Sequence, residues 1–320
     1  MWYNEKKRRN GEVDMIIYFS KINLESTELL EMYKKEEMFD TMRKCILSFL
    51  ENGTEYETEG SFKSDDGEVH FTKTKYRLSI GLKDDSYVSG VIYKSATLYY
   101  KRINAATEEV ESHSIPTIED IRFYFDVNRE IIGFHTRSRF GYQEFNRAFS
   151  GIINMCMEKN NSPLRFSISL YNEGMEINEI ERELRNIKNI KRLEFNFRLP
   201  NPADGNMLEQ LNAGLTNTAE LMEEANANAM SVIFDSNGTI GLNIDSGEIR
   251  ENIERVGHLS KGITDKDATK NGYVRVIATG KDGKKYTTEE QKPIKRETIG
   301  ETAEEFFLAC RDTILNIFSK

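Results

Sequence analysis

The sequence predicts an α+β fold: a largely antiparallel N-terminal sheet with packing helices, followed by a mixed-sheet, α/β-like C-terminal domain. Three observations predict it. Between Thr54 and Arg139 apolar and polar residues alternate at the two-residue period of a strand, and turn residues such as Asp66-Gly67 and Asp84-Asp85 punctuate the runs. Three segments (26–50, 142–158 and 302–318) instead repeat apolar residues at helical spacing. Beyond Lys159-Asn160-Asn161-Ser162-Pro163, a polar stretch rich in breakers, strands and helices alternate more regularly. The antiparallel assignment follows from the short turns of the first half, because parallel strands need longer crossovers.

Element by element, Met15-Ile16-Ile17-Tyr18-Phe19 reads as a first buried strand. A helix follows from Ser26 to Leu50, with Leu29, Leu30, Tyr33, Met38, Met42, Cys45, Ile46, Phe49 and Leu50 inward and Asn52-Gly53 as its stop. Ser89–Arg102 suits a long, half-buried strand. In Ile121–Val127, Ile121, Phe123, Phe125 and Val127 share one face while Arg122, Tyr124 and Asp126 share the other. Asn128-Arg129 turns the chain into a strand from Ile131 to Arg139, and a helix runs from Tyr142 to Glu158. The second half reads as a strand at Arg165–Leu170, a helix at Ile177–Ile187 and a strand at Arg192–Arg198. A long helix at Asp204–Ala229 and a hairpin centred on Ser236-Asn237-Gly238 come next. A helix at Glu248–Val256, a hairpin at Lys281-Asp282-Gly283 and a last helix at Thr302–Phe318 complete the chain. The expected organisation is a flexible leader over 1–14, an antiparallel-sheet domain over 15–160 and a mixed-sheet domain over 161–320.

Composition narrows the function. The 320 residues carry a net charge of −9, against a surface coated for DNA or anionic lipid. Cys45, Cys156 and Cys310 are odd in number and each lies in an amphipathic helical segment, which reads as buried thiols in a reducing, cytoplasmic setting. No run approaches the ~18 apolar residues of a membrane span. Lys6 to Arg9 are basic, but the apolar core of a signal peptide does not follow them.

Catalytic motifs are missing from the sequence. His70, His113, His135 and His258 include no helical ligand pair, and there is no Cys-x-x-Cys, phosphate-binding loop or Gly-x-Ser-x-Gly. No cofactor is expected. A divergent metal-dependent nuclease would draw on Asp126, Glu130, Asp235 and Asp245, which flank turns; capping and pairing with arginine is the simpler role for such carboxylates. Two basic features point to binding. His135, Arg137 and Arg139 share a strand face by period, with Arg122 and Tyr124 on the preceding strand and Arg129, Phe140, Tyr142 and Arg147 close in sequence. Guanidinium groups among aromatic rings suit a phosphate backbone with a stacked base, while cross-strand pairing to Asp126, Glu130 or Glu144 would make the same residues a solvated face. The second feature is the hairpin bearing Lys281, Lys284 and Lys285: between Lys281 and Arg296 six positive charges meet three negative ones. Such an arm tracks phosphate or docks on an acidic partner, and edge strands also carry lysine to prevent aggregation.

Arg122-Phe123-Tyr124-Phe125-Asp126, Ile131-Ile132-Gly133-Phe134 and Arg139-Phe140-Gly141-Tyr142-Gln143-Glu144-Phe145 resemble a segment of uncharacterised bacterial proteins encoded near phage-defence genes. The resemblance implies a role in bacterium–phage conflict as a sensor, accessory subunit or effector, and it carries no site residues. The expected function is therefore a non-enzymatic binding protein recognising nucleic acid or a partner protein complex. The alternatives are the divergent nuclease and a structural subunit of a homo- or hetero-oligomer that uses the Asp204–Ala229 helix as a contact surface.

Overall fold

The computed structural model describes residues 14–25, 32, 35–63, 67, 69–103, 110–201, 217–259, 263–290, 292–299 and 302–317. Residues 1–13 of the expected leader, 26–31, 33 and 34 of the expected Ser26–Leu50 helix and 204–216 of the expected Asp204–Ala229 helix lie outside these residues. Within them the chain is α+β, built on two antiparallel sheets.

The larger sheet begins with β1 (Asp14–Leu24), longer than the expected strand because Ile22 and Leu24 are also buried. α1 (Glu36–Phe49) closes on Leu50, whose N–H donates to the Ile46 carbonyl, and Gly53 takes the left-handed φ of +83° in the turn that follows. Three long strands come next: β2 (Glu55–Lys63), β3 (Val69–Lys83) and β4 (Tyr87–Ile103). β5 (Val110–Asp126) pairs along β4 and leads through a turn to β6 (Ile131–His135). The large sheet runs in the order β12–β1–β6–β5–β4–β3–β2, with β7 (Phe166–Leu170) also on β1. β7 and β12 (Lys295–Ile299) pair with opposite ends of β1, and Asn172 bridges Pro293 where they meet.

α2 (Tyr142–Lys159) covers one face, burying Phe145, Phe149, Ile152, Ile153 and Met157 against Phe123, Phe125 and Phe134 of the sheet. Each such side chain contributes about 1.5–3 kcal/mol relative to exposure. α3 (Ile177–Arg185) follows β7 and leads to the smaller sheet, of order β11–β10–β8–β9. Its strands are β8 (Ile190–Arg198), β9 (Ala229–Asp235), β10 (Val274–Gly280) and β11 (Lys285–Thr287). Their three registers are all antiparallel, where strands of both senses were expected. Among the described residues, the short β10–β11 hairpin and the antiparallel pairing of β8 with both β9 and β10 leave no parallel pair in this sheet.

Other boundaries also move. Helix α4 (Asn217–Glu224) ends before Ala229, which opens β9 instead of closing a helix. No hairpin forms at Ser236-Asn237-Gly238: β9 pairs with β8, and the chain then loops into α5 (Gly247–Gly257). The loop expected after it contains α6 (Asp265–Lys270), capped by Thr264, whose Oγ1 accepts from the Asp267 N–H. α7 (Ala303–Ile317) lies on the other face of the large sheet and forms a second, smaller core with Ile17, Phe19, Tyr124 and Ile131.

The Lys159–Pro163 stretch does not divide the two sheets, because β7, β12 and α7 all return to the first. A buried polar cluster joins them. Lys21 Nζ lies 2.7 Å from Glu130 Oε2, which also accepts from Asn201 Nδ2 at 2.9 Å. Asn201, just past β8, further donates to the Ile22 carbonyl and accepts from the Leu24 N–H.

Candidate interaction surface

The predicted arginine-rich face does not assemble. β6 stops at His135, and Arg137 and Phe140 exchange backbone hydrogen bonds in a tight turn, so His135, Arg137 and Arg139 do not line one strand face. His135 is buried, and its Nε2 accepts from the Arg122 N–H at 3.0 Å while the ring meets Phe306 edge-on. Burial, then the charge of Arg137, pushes its pKa down to about 4, so the imidazole is a neutral acceptor within the core. Tyr124 is also buried, with Phe307 of α7 packed edge-on against its ring and its phenol held well above the ordinary range, chiefly by burial. Tyr124 and His135 are thus corrected from ligand contacts to core residues: the C-terminal helix covers the face that strand alternation left open. Arg122 is half-buried; Arg137 and Arg139 stay exposed, Arg137 beside Asp120 at 3.9 Å. Glu144 binds Tyr76 and Lys94 instead of an arginine, while Asp126 caps its turn and pairs with Arg129, the simpler role expected of it.

Lys281, Lys284 and Lys285 are exposed at the β10–β11 hairpin, on the smaller sheet and apart from the arginines. Lys285 and Lys292 border a groove of about 540 Å³ whose other walls include Glu173, Glu179, Glu183 and Glu290, so part of this basic run faces carboxylates. Of the remaining nuclease candidates, Asp235 pairs with Arg192 and Asp245 with Arg185, each through two hydrogen bonds. Asp126, Glu130, Asp235 and Asp245 converge in no common cluster among the described residues.

A different surface emerges from strand length. At roughly 3.4 Å per residue, the seventeen residues of β4 reach roughly 55 Å, about three times the usual strand. β4 and β5 pair from Tyr87↔Asp126 to Ile103↔Val110, yet their last fully buried pair is Ile92↔Ile121. Further out, in 93–103, 110–120 and the partner stretches 55–63 and 69–75, no described residue is buried. The sheet therefore continues past its core as an arm open on both faces. β3 and β4 stay in register as far as Lys75↔Ser95, so the arm ends as two hairpins, which touch again where His70 meets Tyr99 at 5.8 Å.

Register and alternation place Tyr93, Tyr99, Ile103, Val110 and Ile118 on one face of the β4–β5 hairpin, while Val69 and Phe71 lie on the β2–β3 hairpin, on the side opposite His70. Phe71 is 83% exposed, Ile118 74% and Ile103 65%. At its base the same face runs under α7, where Phe307 packs on Tyr87 and Tyr124. The outer strands flank the stripe with a charge ladder, Lys73 to Glu57 and Lys75 to Glu55, each at 2.5 Å. The hydrogen bond from Lys73 holds the Glu57 carboxyl below its ordinary range. The sequence signal for this surface was the unusually long alternating run from Ser89 to Arg102, which alternation alone assigns as half-buried.

A family model described as a domain of unknown function, DUF4747, matches residues 67–311, more than three quarters of the chain. The match runs from just before β3 into α7 and takes in the whole smaller sheet, while β1, α1 and β2 lie outside it. No curated protein matches the chain.

Proposed function

The chain belongs to the DUF4747 family, and on that premise we propose that it is a non-enzymatic binding protein working through protein–protein contact made by the β2–β5 arm. The observation that carries this reading is the row of exposed apolar side chains on one face of a sheet extension that has no core of its own. Water-facing sheet surfaces normally carry polar residues, and contiguous apolar patches of this kind mark contact sites. Nucleic acid is disfavoured as the arm's ligand because Lys73 and Lys75 are already paired with glutamates and so offer little net charge to phosphate. The resemblance of the 122–145 region supports a setting in bacterium–phage conflict, and the three unpaired thiols support the cytoplasm.

A photo-crosslinking amino acid in place of Ile118 tests the reading in cells making the full chain. A discrete adduct that is lost on Ile103→Ser and absent from a control probe at exposed Lys281 is expected. Adducts no stronger than those of the control would sink it, and salt-sensitive binding of single-stranded RNA or duplex DNA in fluorescence anisotropy would redirect it to nucleic acid.

A further inference from the structure

We propose that Asn237 is a site of covalent self-modification, losing its side-chain amide nitrogen to attack by the Gly238 backbone nitrogen and becoming aspartate or isoaspartate. Glycine favours this reaction because it has no Cβ to crowd the attacking nitrogen and leaves the backbone free to turn. The sequence holds four Asn-Gly pairs, of which Asn10-Gly11 lies outside the described residues. Two of the other three share a triplet, Asn52-Gly53-Thr54 and Asn237-Gly238-Thr239, so local sequence ranks them alike. Their folded surroundings differ. Asn52 Oδ1 accepts from the Ile80 N–H at 2.9 Å, and the Gly53 N–H donates to the Leu78 carbonyl at 2.8 Å, which ties both reacting groups to β3. Asn271 is tied as well, its Nδ2 donating to the Asp267 carbonyl and the Gly272 N–H to the Thr269 carbonyl. Asn237 and Gly238 are instead exposed in the bend after β9. The Asn237 carboxamide has no partner among the described residues, and the Gly238 N–H meets only the exposed Ser236 hydroxyl at 3.3 Å.

The step balances with water as its only co-reactant. The Gly238 nitrogen loses its proton to solvent and bonds to Asn237 Cγ, while the carboxamide C–N bond breaks and ammonia leaves with a proton taken from water. Water then opens the five-membered imide at either carbonyl. Cleavage between Cγ and the Gly238 nitrogen gives aspartate. Cleavage on the main-chain side gives isoaspartate, in which the chain runs through Cβ. Either product adds one negative charge to a chain of −9. The bend accommodates the longer backbone because both of its ends are held on β8: the Ser236 N–H donates to the Lys191 carbonyl and the Leu242 N–H to the Ile190 carbonyl. The change is thus confined to the residues between these two anchors.

Ageing the full chain in mildly alkaline buffer, followed by peptide mapping with mass spectrometry, reads each site separately. Two hydrogen bonds must break before Asn52 or Asn271 can react, so conversion at Asn237 is expected to be about tenfold or more faster than at either. In concentrated urea Asn52 is expected to catch up with Asn237, because only the shared triplet then remains. A native Asn237 that converts no faster than Asn52, or an advantage that persists undiminished in urea, overturns the proposal. Isoaspartate is expected among the products at 237, since direct hydrolysis of the amide yields aspartate alone; aspartate without isoaspartate overturns attack by the Gly238 nitrogen. Gly238→Ala tests the same step in the folded chain, where the added Cβ would make only ordinary contact with Ser236 Oγ at 3.5 Å. Conversion at 237 is expected to slow severalfold while Asn52 is unchanged, and an undiminished rate at 237 overturns the proposal.

Discussion

His135 sits where β6 ends, holding the Arg122 N–H across the strand gap and packing on Phe306. Its proton balance makes it a source of pH-dependent stability. With a folded pKa of about 4 against about 6.5 unfolded, the unfolded chain binds more protons in the interval between them. The stabilisation from keeping this imidazole neutral is full above about pH 6.5 and is lost as pH falls toward 4, about 3 kcal/mol in all. Denaturant melts from pH 7 to pH 4 should show that decline, and His135→Gln, which keeps an acceptor but cannot titrate, should flatten it; an equally steep decline in the variant would place the effect elsewhere. The same burial changes what alanine at His135, Arg137 and Arg139 together would report. Losing a buried acceptor and packed ring costs about 2–4 kcal/mol, so a fall in melting temperature is expected whatever the ligand. Period-two alternation put His135, Arg137 and Arg139 on one strand face, but the strand stops at His135 and the chain turns at Arg137 and Phe140.

Among the elements, α7 decides most about the surface. It closes over Tyr124 and His135 with Phe306, Phe307, Cys310 and Ile314, and it fits because β6 offers a glycine beneath it. A Cβ at Gly133 would lie 2.8 Å from Cys310 Sγ and 3.3 Å from Phe19 Cε1. Gly133→Ala is therefore expected to destabilise the fold by about 1–3 kcal/mol through overpacking. Adding Cys310→Ala should recover part of that loss, a coupling that a double-mutant cycle by thermal melting would measure; strict additivity would mean that the helix shifts instead of clashing. The helix itself was legible from its 3.6-residue rhythm, and Thr302 and Glu305 cap it reciprocally. Its docking partner was not, because amphipathicity states that a face is buried without stating against what.

At the scale of the whole molecule, the two sheets are tied by the Lys21–Glu130–Asn201 cluster, with Tyr273 buried close enough for the Glu130 charge to add to the effect of burial on its phenol. Glu130 holds a left-handed φ of +58° at the turn into β6, so its carboxylate is fixed by both backbone and partners. Removing only the cation should be costly. Lys21→Met leaves a buried carboxylate without its counter-charge and is expected to lose about 3–5 kcal/mol, whereas Lys21→Met with Glu130→Gln should lose clearly less. Urea unfolding of both variants checks this, and equal losses would show that the charge pair is not what the cluster contributes.

Local patterning along the chain dictates the α+β class, the turn at Lys281-Asp282-Gly283, the alternation of Ile121–Val127 and the helices at 142–158 and 302–318. These are local matters, set by side-chain period and turn chemistry within a few residues. Tertiary structure decided that β7 and β12, more than a hundred residues apart, line up along one edge of β1, and that α7 hides Tyr124 and His135 while leaving the outer arm bare. Alternation marks two faces but carries no label for solvent, and which face another element covers depends on contacts between distant segments. For that reason the arginines drew attention in the sequence, and the exposed face of the arm is visible only in the fold.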